Sequence, residues 1–144
     1  MKPDTALPPG QRETTSFPRF GLTPFAVRFP SELEQVKLRI GGDVLTPLEI
    51  GRPELARLPR IEQRADFHCV TTWTCPQLLW GGLRFRDFYE QIVLPLAGAP
   101  ADAGFVVLHG QDGARTSLPL QDLLAPNVLL ADSLDGEPLS IAHG

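Results

Sequence analysis

The stretch that decides the reading is Asp66-Phe67-His68-Cys69-Val70-Thr71-Thr72-Trp73-Thr74, followed closely by Trp80-Gly81-Gly82-Leu83. β-Branched and aromatic side chains dominate its first nine positions, which predicts a strand running into a loop. It is also the densest cluster of chemically capable side chains in the chain: a carboxylate, an imidazole, a thiol, three hydroxyls and an indole within nine residues. The glycine pair leads into the one sustained helical pattern. There Phe85, Phe88, Tyr89, Ile92, Val93 and Leu96 recur at i, i+3, i+4, i+7, i+8 and i+11, and Gly98 stands at the C-terminal cap position.

On the N-terminal side, Gln35–Ile40 alternates, with Val36, Leu38 and Ile40 facing one way and Lys37 and Arg39 the other. This predicts a half-buried strand closed by Gly41-Gly42-Asp43. A second strand is expected near Val44–Leu48, then a brief helix around Pro53–Leu58 ended by Pro59. Residues 1–31 carry Pro3, Pro8, Pro9, Pro18, Pro24 and Pro30 and no sustained period. They are expected to form an extended arm anchored by Phe17, Phe20, Phe25 and Phe29, with residues 32–144 as a single domain. On the C-terminal side, Gly104–His109, the turn Gln111-Asp112-Gly113 and Ala114–Leu118 predict a hairpin. A short helix at Leu120–Leu124, a strand at Val128–Asp132, a turn at Leu134-Asp135-Gly136 and an extended stub at Pro138–Ile141 follow. The expected class is α+β, richer in strand than in helix.

Composition narrows the function classes. At 144 residues, with 42% hydrophobic and 21% charged side chains, the chain can bury a core without staples. Thirteen basic against 17 acidic residues give a net charge of −4, which argues against a general nucleic-acid binder. No apolar run approaches the roughly 18 residues a membrane span needs. Met1–Gly10 holds neither a twin-arginine pair nor an apolar leader core, so a cytoplasmic setting is expected. Two cysteines, Cys69 and Cys75, are too few for a disulfide scaffold.

Taken from the residues alone, Cys69 is ambiguous. A single strand cysteine is most often a small buried hydrophobe. Zinc fits poorly, because Cys69 and Cys75 are six apart and the histidines at 68, 109 and 143 follow no zinc-ligand spacing. A Cys–His nucleophile pair is weak too, since adjacent strand residues point to opposite faces.

The wider pattern resembles the core motif of the sulfite-oxidase superfamily of molybdenum oxidoreductases, roughly D-x-H-C-V-T-x-W-S followed by W-x-G-V. Pro8-Pro9-Gly10-Gln11, Phe17-Pro18, Leu38–Gly42 and Glu54–Pro59 resemble the family's approach to the cysteine, and Asp112-Gly113, Leu118-Pro119-Leu120 and Asp135–Leu139 keep its later order. The resemblance implies a molybdopterin cofactor, the molybdenum cofactor, whose metal takes the Cys69 thiolate beside the pterin's dithiolene sulfurs. It implies that His68, Thr71, Trp73 and His143 help seat that cofactor; Arg64 is a candidate cation behind them or a catalytic aid to an anionic substrate, against the alternative of a surface arginine on a strand. The chemistry implied is oxygen-atom transfer on a small oxyanion or oxide, with a separate electron-transfer partner.

The chain departs from the family at two places. Thr74-Cys75 replaces the usual serine and charged residue after the tryptophan. The family's H/N-G-x-P-x-R segment is represented only by His143-Gly144, and no Lys or Arg follows Arg115 while Asp122, Asp132, Asp135 and Glu137 do. Cations for a pterin phosphate would have to come from Arg57, Arg60, Arg64, Arg84, Arg86 and Arg115. Two readings follow: a small molybdenum oxidoreductase, or a truncated, cofactorless member serving as a binding or assembly module, with uncovered Phe and Leu side chains driving a homodimer.

Overall fold

The computed structural model describes residues 6–19, 21–22, 24–30 and 37–143. Val36 and Phe20, named above as a core-facing strand residue and an arm anchor, lie outside them.

The centre of the molecule is one long hairpin. Strand β4 (Arg60–Cys69) and strand β5 (Trp73–Arg84) pair antiparallel from Arg60↔Leu83 to Cys69↔Trp73. The strand expected to run into a loop within residues 66–74 does so after Cys69, the chain is strand again from Trp73, and Trp80-Gly81-Gly82-Leu83 lies inside β5. The other edge of β5 is shared. Strand β1 (Arg12–Glu13) pairs parallel with its beginning at Trp73 and Thr74, and strand β8 (Leu129–Leu134) pairs antiparallel with its end, Trp80 to Arg84. Strand β9 (Glu137–Pro138) folds back on β8 through Asp135 and Gly136, both at positive φ, as the Asp-Gly turn predicts.

Two further two-stranded sheets flank this one. Strand β2 (Lys37–Ile40) pairs with strand β3 (Leu48–Gly51), and strand β6 (Phe105–His109) with strand β7 (Arg115–Pro119). The second strand of the first pair sits four residues later than expected at its start. The reason is visible upstream: the Leu45 and Thr46 amides donate to the Gly98 and Ala97 carbonyls instead of to a strand neighbour, and Pro47 has no amide to give.

Helix α1 (Arg52–Leu55) is shorter than the Pro53–Leu58 expectation, and the Glu54 carboxylate accepts the Gly51 amide at 2.8 Å to cap its start. The amphipathic helix begins as α2 (Phe85–Phe88) and continues with π-helical hydrogen bonding over Tyr89–Ala97. Five of its six expected core residues are buried, but Leu96 is 55% exposed and Ala97 is fully buried in its place. The looser winding, with Gly98 N–H donating to the Val93 carbonyl five residues back, shifts the apolar stripe by one position. Gly98 caps the helix at φ 69° as expected. Helix α3 (Leu120–Leu123) and a 3-10 helix at Pro24–Val27, within the arm expected to be extended, complete the described elements, giving a strand-rich α+β fold.

The apolar residues divide into two clusters. The larger joins Ile50, Leu58, Leu83, Phe85, Phe88, Tyr89, Ile92, Val93, Ala97, Leu120 and Leu123 at the base of the hairpin. The smaller joins Cys69, Trp73, Cys75 and Leu78, with Phe17, Phe67, Trp80 and Leu134 packed on them, at its tip. Phe17 thus anchors the arm, whereas Phe29 is half exposed.

Candidate functional site

The tip of the β4–β5 hairpin is a three-residue loop, Val70-Thr71-Thr72. The Thr72 amide donates to the Cys69 carbonyl at 3.0 Å, and Thr72 itself sits at φ 71°. A turn followed by one left-handed residue is the usual three-residue hairpin solution, and a threonine there is under strain. This geometry puts Cys69 on the last rung of the strand, beside Trp73.

Pairing register sorts the side chains by face. Phe67, Cys69, Trp73 and Cys75 share one face, where Phe17 lies edge-on to Phe67 and Trp73 at 4.8 and 6.0 Å between ring centroids. The Cys69 residue is 7% exposed, and its Sγ lies 3.1 Å from the Thr71 hydroxyl. Burial pushes the Cys75 thiol's pKa up, with Asp135, Asp66 and Glu13 adding to the effect. His68 and Thr74 take the opposite face, as adjacent strand residues must. There His68 Nδ1 is 2.8 Å from the Thr74 hydroxyl, and that hydroxyl donates to Gln11 Oε1 at 3.1 Å. Gln11 Nε2 in turn donates to the Cys69 carbonyl at 3.2 Å. Thr74 is fully buried.

His143 reaches the Cys69 face from the far end of the chain. Its ring stacks on Phe17 at 4.1 Å and 7°, Nδ1 is 3.1 Å from the Ser140 hydroxyl, and Nε2 is buried with no partner among the described residues. Arg19 holds this end in place, donating to the carbonyls of Phe25, Ala26, Arg28 and Ala142. Arg64 is elsewhere. It stands opposite Leu79 on β4, exposed, donating to the Gln77 carbonyl beside the bulge that Asp66 makes by accepting the Gln77 amide. Of the predicted site residues, then, Cys69, Thr71 and Trp73 meet, His143 joins them through Phe17, His68 backs them across the strand, and Arg64 stands apart. Gln11 and Thr74 were not among the predicted site residues. The only signal for Gln11 was the Pro8-Pro9-Gly10-Gln11 turn, closed by the Gln11 amide on the Pro8 carbonyl with Gly10 at φ 80°.

Among the candidate phosphate cations, Arg60 is engaged by Asp132 at 2.8 and 2.6 Å, and Arg84 donates to the Pro126 carbonyl. Arg86 lines an open groove with Ala103, Gly104, Pro119, Leu120, Gln121, Leu124 and Ala125.

No three His, Cys, Asp or Glu side chains come together as a metal cage among the described residues. A metal held here would take one protein thiolate and draw its remaining ligands from a chelating cofactor. The family model described as "Oxidoreductase molybdopterin binding domain" matches residues 26–144. The chain belongs to that family. Molybdopterin is the family's cofactor, and the residues fit it: a soft sulfur at a strand end, an aromatic wall, and an imidazole nitrogen buried with no partner among the described residues.

Two relatives give scale. The "Uncharacterized oxidoreductase YuiH" of Bacillus subtilis (strain 168) is 38% identical over 138 residues, covering 96% of this chain, and the chain spans 66% of that protein's length. The crystal structure of the sulfane dehydrogenase SoxCD from Paracoccus pantotrophus superposes with a TM-score of 0.60 over 75% of this chain and 31% of its own, at 22% identity. That likeness shows the fold. No described helix is long and apolar enough to cross a membrane.

Proposed function

We propose that the chain is the molybdopterin-carrying unit of a cytoplasmic oxidoreductase that moves an oxygen atom to or from a small oxyanion or oxide. The Cys69 thiolate holds the molybdenum. When bound, the cofactor supplies a two-electron redox centre at which oxygen transfer takes place, and a separate protein or carrier exchanges the electrons. The chain's own residues bind and orient. Thr71, through its hydroxyl, steadies the Cys69 sulfur; Trp73, Phe67 and Phe17 keep water from it; the His143 Nε2 nitrogen meets a polar atom of the cofactor. Arg64, exposed five residues along β4 from Cys69 and hydrogen-bonded to the Gln77 carbonyl, takes no part in seating the cofactor.

The observation that most supports this reading is the position of Cys69, its sulfur beside a hydroxyl in the small aromatic cluster at the hairpin tip rather than in the main core. Protein purified from a molybdenum-replete host is expected to carry close to one molybdenum per chain. Cys69→Ser is expected to lose it while keeping the far-ultraviolet circular dichroism of the parent. A metal-free parent protein overturns the proposal. Phe105 and Val107, exposed on β6, favour a second reading, a cofactorless module that pairs through that hairpin; a metal-loaded monomer by light scattering discards it.

A further inference from the structure

The hydrogen bonds behind Cys69 form a chain whose proton order is set by its last acceptor. A carbonyl oxygen can only accept, so Gln11 must turn its amide nitrogen to Cys69, as it does at 3.2 Å. Its amide oxygen then faces Thr74 and needs a donor. The fully buried Thr74 hydroxyl supplies its one proton there, at 3.1 Å. What Thr74 has left is a lone pair, and His68 Nδ1, 2.8 Å away, must donate into it.

We infer that Gln11 is a positioning residue that, through Thr74, fixes His68 as the Nδ1–H tautomer and leaves its Nε2 an acceptor. His68 is exposed, so the nitrogen with the lone pair is the one a ligand can reach. It suits an N–H or amino donor on a bound heterocycle. The same amide ties the N-terminal arm to the Cys69 carbonyl, which also accepts the Thr72 amide that closes the hairpin loop. One side chain from the arm therefore sets both the tip's backbone and the imidazole beside it. The tautomer stands on the hydrogen bonds alone; its use by a pterin rests on the function proposed above.

The test is long-range nitrogen–proton correlation NMR on this chain, read where the spectrum itself shows a single proton on the His68 ring. His68 is expected to show a protonated Nδ1 and a bare Nε2. Thr74→Ser keeps that pattern, because the hydroxyl remains. Thr74→Val, which removes the hydroxyl, and Gln11→Leu, which removes its acceptor and frees the Thr74 proton for His68 Nδ1, are expected to move His68 toward the Nε2–H form, with the amide fingerprint outside residues 8–16 and 66–76 unchanged. A neutral Nε2–H ring in the parent overturns the inference, as does a pattern indifferent to both disruptive variants. Molybdenum occupancy separates the two claims: Gln11→Leu is expected to hold at least about threefold less metal than Thr74→Ser. If the parent holds none, the function proposed above fails while the NMR result still decides the tautomer. If the parent is loaded and the two variants hold equal metal, the link from Gln11 to the site is refuted.

Discussion

Gly82→Ala tests the account of how β5 meets β8. Gly82 has an ordinary backbone conformation, so alanine strains no dihedral angle, and the whole cost is steric. A Cβ added there falls on the Leu130 carbonyl oxygen, 2.8 Å from Ala131 Cα and 2.9 Å from the Leu130 carbonyl carbon. These are backbone atoms with no rotamer to escape into, so β8 must retreat by more than 1 Å to reach ordinary contact at 3.4 Å. That breaks the ladder where Gly82 pairs with Ala131 and Leu83 with Leu130, and pulls Leu130 from the main core. Two lost ladder bonds at about 1 kcal/mol each, with about 1–3 kcal/mol of overpacking, give roughly 3–5 kcal/mol. With a urea slope of about 2 kcal/mol/M, the midpoint falls by roughly 2 M. Gly81→Ala is expected to cost less, because its Cβ meets the Ser133 hydroxyl, which can rotate. Gly104→Ala, with nothing within 4 Å, is the control. A Gly82→Ala midpoint no lower than that of the Gly104→Ala control would refute the reasoning.

Thr72→Gly is expected to stabilise the protein by about 0.5–1 kcal/mol, since glycine relieves the left-handed strain at φ 71° but loses more chain entropy on folding; a lowered urea midpoint contradicts it. Arg60, hydrogen-bonded to both carboxylate oxygens, holds the Asp132 pKa below its usual value. A depressed carboxyl contributes stability above its unfolded pKa, near 3.9, and loses it as pH falls through the folded value. Asp132→Asn should therefore cost less than about 1 kcal/mol at pH 7, because the pair is half exposed, and nothing near pH 2; an equal cost at both pH values sinks this. In Cys69→Ser protein the remaining Cys75 thiol, buried and raised in pKa, is expected to react with a disulfide reagent at pH 8 at least about tenfold more slowly than after unfolding in urea; equal rates would place it at the surface.

What could be read from sequence was what local chemistry decides. Asp112-Gly113 and Asp135-Gly136 announced their turns because left-handed backbone selects such residues, and Phe85–Val93 announced its helix through spacing alone. The errors came where a distant partner decides. Val44–Thr46 looked like a strand, but the helix's C-terminal carbonyls claimed its amides. Leu96 fitted the stripe until π winding turned it outward. The motif around Cys69 identified the site's centre, yet Gln11 lies 58 residues from Cys69, and no period or spacing connects an arm glutamine to a strand carbonyl. Trp80-Gly81-Gly82 was legible as a motif and opaque in cause, because its reason is the approach of β8 some fifty residues later.

The two cysteines act as each other's control. They share a strand face, a cluster and nearly the same exposure, 7% for Cys69 and 5% for Cys75, so burial alone cannot separate a ligand from a small hydrophobe. Position separates them. Cys75 is paired opposite Phe67, in mid-ladder, among carboxylates that disfavour its thiolate. Cys69 is the last rung before the loop, with a hydroxyl at its sulfur and a carbonyl held from behind by two donors. A thiolate bound to a metal needs one open direction and a backbone that does not yield when the ligand pulls. Strand β4 ends at Cys69, and the rigidity of its backbone there comes from the arm. Removing Gln11's amide should therefore loosen Cys69 while leaving Cys75 as it is, a difference that a reading of both thiols as ordinary core would not produce.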